Sequence, residues 1–150
     1  VDPHIHYAYA PHGGVCGTQG STPGAPRRVM NDEKTLATMM ELLRLVVDDE
    51  HGTAHRLKQN GLVPACLAFG GKTGTSKRCV KELGGYNNRL YTGTFICHAP
   101  AERPRYVIVT RVDVDREWPD ARVLGLYYGG TTAAPIAASI LSAVFRDSPE

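Results

Sequence analysis

The nine residues FGGKTGTSK, from Phe69 to Lys77, combine two lysines, two threonines and a serine with three glycines. A lysine among glycines and hydroxyls is suited to holding an anion: the ammonium supplies charge, the hydroxyls donate hydrogen bonds, and glycine lets a ligand approach the backbone. A phosphate loop would need Gly, four residues, then Gly-Lys-Ser/Thr. Gly71-Lys72-Thr73 supplies the end of that pattern, but Cys66 stands where the first glycine belongs. Gly74 and β-type residues follow where a helix should begin, which argues against nucleotide binding. A strand beside a cleft fits better. There Lys72 offers its ammonium to a carboxylate, and the Thr73 and Thr75 hydroxyls add hydrogen bonds. Gly74 leaves room for a substrate backbone, and backbone N–H groups facing the cleft serve as oxyanion donors.

The other reactive residues form weaker patterns. His4 and His6 have no third ligand at a recognisable spacing, and His51 and His55 have Gly52 and Thr53 between them without the glutamate of a zinc motif. No metal site is expected. None of the cysteines at 16, 66, 79 and 97 forms a CxxC pair. Cys66 and Cys97 are expected as buried thiols in strands; disulfide pairing stays open. Lys77, Arg78 and Lys81 read as a solvated basic loop, with attraction of an anionic substrate as the second reading. Tyr91, Tyr127 and Tyr128 are expected to pack rather than to line a groove, and Met39-Met40 to lie in the core.

These residues need elements to position them. The chain has 150 residues, 42% hydrophobic and 21% charged, with a formal charge of +2. That is one globular domain's worth of chain, too mildly basic to argue for nucleic acid. No run of 18 apolar residues spans a membrane, and VDPHIHYAYA is not a signal peptide. The chain opens with Val in what reads as an extended segment, so it is expected to be a piece of a longer protein. Residues 1–30 form a loop-rich lead-in with one short strand. A helix follows, capped by Asn31, with Leu36, Met39, Met40, Leu43, Val46 and Val47 at helical spacing. Acidic residues at its end, Asp48 to Glu50, suit the helix dipole poorly. Residues 53–65 connect to a strand over Leu67 to Lys77. Arg78 to Arg89 is expected as a loop, Leu90 to His98 as an alternating strand, and Tyr106 to Val114 as a central strand, apolar on both faces. A final helix begins near Pro135, with Ile136, Ile140, Leu141 and Val144 as its apolar stripe. The fold class is α+β: three antiparallel strands with helices packed on them.

In that frame the chain resembles the C-terminal part of the transpeptidase domain of class B penicillin-binding proteins, within the serine penicillin-recognising enzymes. The resemblance runs through FGGKTGTSK, GGYNNRLYTGTFICHAPAERPRYVIVTRVD and YYGGTTAAPIAASIL, in one order over roughly residues 29–146. VDPH at the start is similar to the family's "PPH" segment, and the helix with HGTA to a further family segment. Lys-Thr-Gly is the third active-site motif there, beside Ser-x-x-Lys and Ser-x-Asn.

The first two motifs are absent. The residues three positions after Ser21, Ser76, Ser139 and Ser142 are Gly24, Cys79, Ser142 and Phe145, and Ser148 lies two residues from the end. No catalytic residue is therefore expected in this chain, and alone it should not be acylated. The resemblance implies a parent enzyme acting on peptidoglycan stem peptides ending in D-Ala-D-Ala and binding β-lactams. Its serine would form an acyl-enzyme that a neighbouring strand's amine resolves into a cross-link. Lys72, Thr73 and Thr75 would hold the terminal carboxylate, with Gly74 between them, and a backbone N–H near Thr75 would complete the oxyanion hole. The resemblance further implies no metal or organic cofactor, and no nucleic acid. Its implied partners are the missing N-terminal part of the protein and the cell-wall synthesis machinery of division or elongation. The location would be the periplasmic or extracytoplasmic side, with a membrane anchor outside these residues. The alternative is a non-catalytic binding or assembly module that keeps the fold.

Overall fold

Glycine-rich spacing and β-branched runs produce two separate sheets in the computed structural model, which describes Tyr7–Tyr9, Gly17–Gln19 and residues 32–118, 122 and 124–146. Expectations for Asn31, His4, His6 and Cys16 lie outside the described residues. In the lead-in, β1 (Tyr7–Tyr9) pairs antiparallel with β2 (Gly17–Gln19), where one strand was expected. This hairpin belongs to a unit of its own.

The second unit begins in helix α1 (Glu33–Asp48), with Glu33 in the first turn where the dipole favours acid. The acidic end is compensated from outside the helix. Asp48 accepts from Arg44 at 2.9 Å and from Lys58 at 2.5 Å, the latter on α2 (Arg56–Gln59). The turn between the helices folds back on α1: Ala54 N–H donates to Val46 O, and a Cβ at Gly52 would lie 2.4 Å from that oxygen. Only Val47 of α1 is buried; Met40, Leu43 and Val46 are half-buried, and Leu36, Met39, Leu42 and Leu45 are exposed. The core placement expected for Met39 is thus corrected: within this chain nothing packs over that side of the helix among the described residues.

The sheet is β3 (Gly70–Val80), β4 (Gly85–Ala99) and β5 (Tyr106–Asp115), antiparallel, in that order. The loop expected at Arg78 to Arg89 is much shorter. A 3-10 turn, Lys81–Leu83, joins the strands, and Gly84 and Gly85 have φ of 80° and 114°. Those left-handed values are what glycine supplies there. Asn87 and Asn88 lie in β4 rather than in a turn. A bulge between Lys77 and Cys79 interrupts the ladder. Strand β5, expected as central, is an edge of this sheet, and β4 is the middle strand. The two-faced apolarity of its start leaves Val107 and Val109 exposed, at 69% and 64%.

One face of the sheet builds the core. Phe95, Cys97 and Ala99 of β4 and Val114 of β5 point into it, with Leu57, Val63 and Phe69 from the connecting segments. Helix α3 (Ala133–Arg146) covers this face through Ala133, Ala134, Ala137, Ala138 and Leu141, all fully buried. The expected stripe is corrected here: Leu141 is buried, Val144 is half-buried, and Ile136 and Ile140 face outward, at 47% and 41% exposure. Small side chains let the helix approach the strands closely, and that proximity, not side-chain size, selects the buried face. Thr110, buried on β5, locks the contact by donating its hydroxyl to Ala133 O at 2.8 Å. Cys66 lies in an exposed turn before β3, correcting its assignment to a buried strand position; Cys97 is buried as expected.

Candidate functional site

Lys72, Thr73, Gly74 and Thr75 sit in the first half of β3, opposite Ile96, Phe95, Thr94 and Gly93 of β4. Strand β3 is an edge of the three-stranded sheet, so its second hydrogen-bonding side faces away from β4. The strand continues to Val80, so no helix N-terminus follows the lysine, as a phosphate loop would require.

Alternation along the strand separates the four residues. Lys72 and Gly74 lie on the face away from α3, while Thr73 and Thr75 lie on the same face as Phe95 and α3. Lys72 is exposed and donates its Nζ to the carbonyl of Thr73 at 2.8 Å. The ammonium is thereby folded along the strand edge rather than extended into solvent. The Oγ1 atoms of Thr73 and Thr53 are 2.7 Å apart. Thr75 Oγ1 accepts the Gly129 N–H at 3.1 Å. Both threonine hydroxyls are thus anchored from behind the strand.

Sequence reasoning missed these anchors. Thr53 belongs to the turn after α1, and Gly129 to the turn before α3. A Cβ on Gly129 would lie 2.3 Å from Thr94 O and 2.4 Å from Gly74 O, and one on Gly130 would lie 2.3 Å from Thr53 O. The glycine pair is pressed against the strand and the Thr53 turn, and no bulkier residue could bring Gly129 N–H to Thr75. The signal was legible in principle as GG before an alanine-rich helix and HGT after α1. Gly74 also has a packing reason: its Cβ would lie 2.4 Å from Thr94 Oγ1.

The surrounding charges are arranged in pairs. Arg89 donates to Asp115 at 2.7 Å, and that contact holds the Asp115 carboxyl below its ordinary value and raises the guanidinium's. Thr92 Oγ1 donates to Asp113 at 2.6 Å, which with Arg111 lowers the Asp113 carboxyl. Lys77 and Arg78, expected in a loop, are on β3; Lys77 Nζ donates to Asn88 Oδ1 at 2.6 Å. Burial pushes the Cys97 thiol up to about 11 and lowers His98, whose Nε2 is buried without a partner. The tyrosines pack on one another: Tyr91 and Tyr127 ring centroids are 5.1 Å apart, and those of Tyr127 and Tyr128 are 4.3 Å apart. Tyr127 raises the Tyr128 phenol through their hydroxyl contact. His55 bonds Gly52 O, and His51 lies beside Asp49. No three metal-ligating side chains converge among the described residues.

Nothing in this constellation is a nucleophile with an adjacent base. It consists of one ammonium, two fixed hydroxyls and an open strand edge, donors of the kind a carboxylate can accept from.

Residues 1–142 match the family model for the penicillin binding protein transpeptidase domain. A peptidoglycan D,D-transpeptidase FtsI homolog of Chlorokybus atmophyticus is 36% identical over 89 residues, covering 57% of this chain and 12% of that protein. A probable peptidoglycan D,D-transpeptidase FtsI of Caulobacter vibrioides is 30% identical over 123 residues, covering 79% of this chain and 20% of that protein. Among solved structures, the apo transpeptidase domain of Burkholderia pseudomallei penicillin-binding protein 3 superposes with a TM-score of 0.57 at 29% identity. That match covers 88% of this chain and 35% of the solved one. The chain therefore spans no more than about a fifth of these two curated relatives, 12% and 20% of their lengths.

Proposed function

The chain belongs to the penicillin binding protein transpeptidase family, and from that premise we propose that residues 1–150 are the C-terminal portion of one transpeptidase domain in a longer serine D,D-transpeptidase. The observation that carries this reading is the position of Lys72-Thr73-Gly74-Thr75 on the open edge of β3.

In the parent enzyme a serine hydroxyl from the remaining part of the domain attacks the carbonyl between the last two D-Ala residues. The amide bond breaks, an ester to the serine forms, and the terminal D-Ala leaves with the proton. An amine from a second stem peptide then attacks the ester, forming the cross-link and returning the serine hydroxyl. This chain's part is to hold and orient. Lys72 supplies the charge for the terminal carboxylate. Thr75, whose oxygen already accepts from Gly129 N–H, keeps its own proton to donate. Thr73 is held by Thr53, hydroxyl to hydroxyl. A backbone N–H near Thr75 serves the oxyanion. β-Lactams would enter through the same carboxylate contact. The setting is the extracytoplasmic side, where peptidoglycan is cross-linked.

The test is labelling with a fluorescent penicillin. The parent protein should label, Lys72→Ala should slow labelling by about 100-fold, the order that loss of one preorganised electrostatic partner produces, and the isolated chain should stay dark. A labelled isolated chain, or a parent indifferent to Lys72→Ala, would overturn the reading.

A further inference from the structure

The face of the sheet that carries Lys72 holds a second polar site further along the strands. The antiparallel register sets Gly74, Thr94 and Arg111 side by side, and Ser76, Thr92 and Asp113 in the next row. Ser76, Lys77, Arg78, Thr92, Thr94 and Arg111 line a pocket there of about 410 Å³. Three cations and three hydroxyls meet one carboxylate. Asp113 accepts from Thr92 at 2.6 Å and from Arg111 at 3.2 Å, and lies 3.8 Å from Arg78. The next carboxylate along β5, Asp115, is already engaged by Arg89. Two guanidiniums carry about ten N–H donors, against roughly four acceptor positions on one carboxylate. Asp113 therefore orients the arginines without saturating them, and the pocket keeps a surplus of positive charge and donors.

We propose that this pocket binds a second carboxylate, on the same acyl-donor peptide whose terminal carboxylate Lys72 holds; the inference rests on the function proposed above. A peptide lying extended beside edge strand β3 directs alternate side chains over the pocket's face. Ser76 and Arg78 lie four and six residues beyond Lys72, roughly 13–20 Å along a strand at about 3.3 Å per residue. An acidic side chain about three to five residues before the peptide's end spans that distance. The pocket thus selects donor peptides by charge, at a point remote from the bond that breaks.

The test uses the parent protein and synthetic peptides ending in D-Ala-D-Ala, with glutamate or glutamine three, four or five residues before the end. At one of these positions glutamate should raise kcat/KM for D-Ala release by about tenfold or more, the range of a charge-assisted contact. Arg78→Gln with Arg111→Gln should abolish that preference and leave acylation by penicillin, which carries one carboxylate, unchanged. Equal rates for glutamate and glutamine peptides in the unsubstituted protein would overturn the proposal. So would loss of penicillin labelling and of thermal stability together in the arginine variants, because the arginines would then pair with a carboxylate of the parent's own remaining domain. An unsubstituted parent that fails to label with penicillin would instead remove the transpeptidase reading, and this inference with it.

Discussion

Thr53 and Thr73, twenty residues apart in sequence, meet through their hydroxyls at 2.7 Å and tie the turn after α1 to the lysine-bearing strand. The bond fixes the Thr73 oxygen at the strand edge before any ligand arrives. Thr53→Val should cost about 0.5–1.5 kcal/mol of stability in the parent protein, the usual net value of one hydrogen bond. Thr53→Val and Thr73→Val combined should cost less than the sum of the two. Urea denaturation of the four proteins checks this; strictly additive losses would show that the contact carries no energy.

Gly74 serves two demands that mutation can separate. A Cβ there would meet Thr94 Oγ1 at 2.4 Å, directly across the ladder. Gly74→Ala should therefore destabilise the fold by about 1–3 kcal/mol. Adding Thr94→Ala removes the obstruction and should restore most of the stability. Penicillin acylation should remain impaired in that double variant, because the methyl still stands on the face of β3 that carries Lys72, where a bound substrate would lie against it. Full recovery of both would leave packing as the sole reason for the glycine.

How much of this was legible follows from what each signal encodes. Period-2 alternation in LYTGTFICH and the β-branched run YVIVTRV located β4 and β5, because side-chain alternation is local. The order of the strands and the half-exposed state of β5 are not local. They depend on which strands pair beside it, and with β5 at an edge of this sheet the apolar run at Tyr106 to Val109 leaves Val107 and Val109 exposed. The same holds for Ile136 and Ile140: hydropathy marked them as core, yet close approach favoured the alanine side. For the site, Lys72 and both threonines were proposed from residue types alone. Thr53 and Gly129 were not, since their part is set by contacts 20 and 54 residues away in sequence.

Acid should weaken the β4–β5 end of the sheet. Asp115 sits below its ordinary value of 3.8 chiefly because Arg89 donates to it. A carboxyl lowered by folding contributes stability above its unfolded value and loses it as the pH falls through the folded one. Denaturation midpoints should therefore decline below about pH 4, near the unperturbed carboxylate value. Asp115→Asn should lower stability at neutral pH and flatten that decline. An unchanged acid limb in Asp115→Asn would exclude the pair as its source.

The buried thiol gives the opposite sign. Burial raises Cys97 from 9.0 to about 11. Folding favours the neutral thiol, so its contribution is present below pH 9 and lost as the pH rises towards 11. Alkylation with iodoacetamide at pH 8, read by peptide mass mapping, should modify exposed Cys66 and Cys79 quickly and Cys97 only on unfolding. Equal rates at all three would contradict the buried placement.

The face away from α3 is divided: its polar end holds the arginine pocket, and its apolar end holds Ile96 and Val109 beside Lys72, with Val107 in the next row. Helix α1 adds Leu36, Met39, Leu42 and Leu45, each about 40–50% exposed. Two apolar surfaces of this kind cost free energy in water and associate with whatever covers them. The isolated chain should therefore bind a hydrophobic dye such as ANS and self-associate in sedimentation, and both signals should fall when it is produced together with the rest of the transpeptidase domain. Leu42→Glu with Val109→Lys should reduce dye binding in the isolated chain and prevent reassembly with the remainder. A dye-silent monomer would mean that the chain stands alone, and would favour a separate binding module over part of an enzyme.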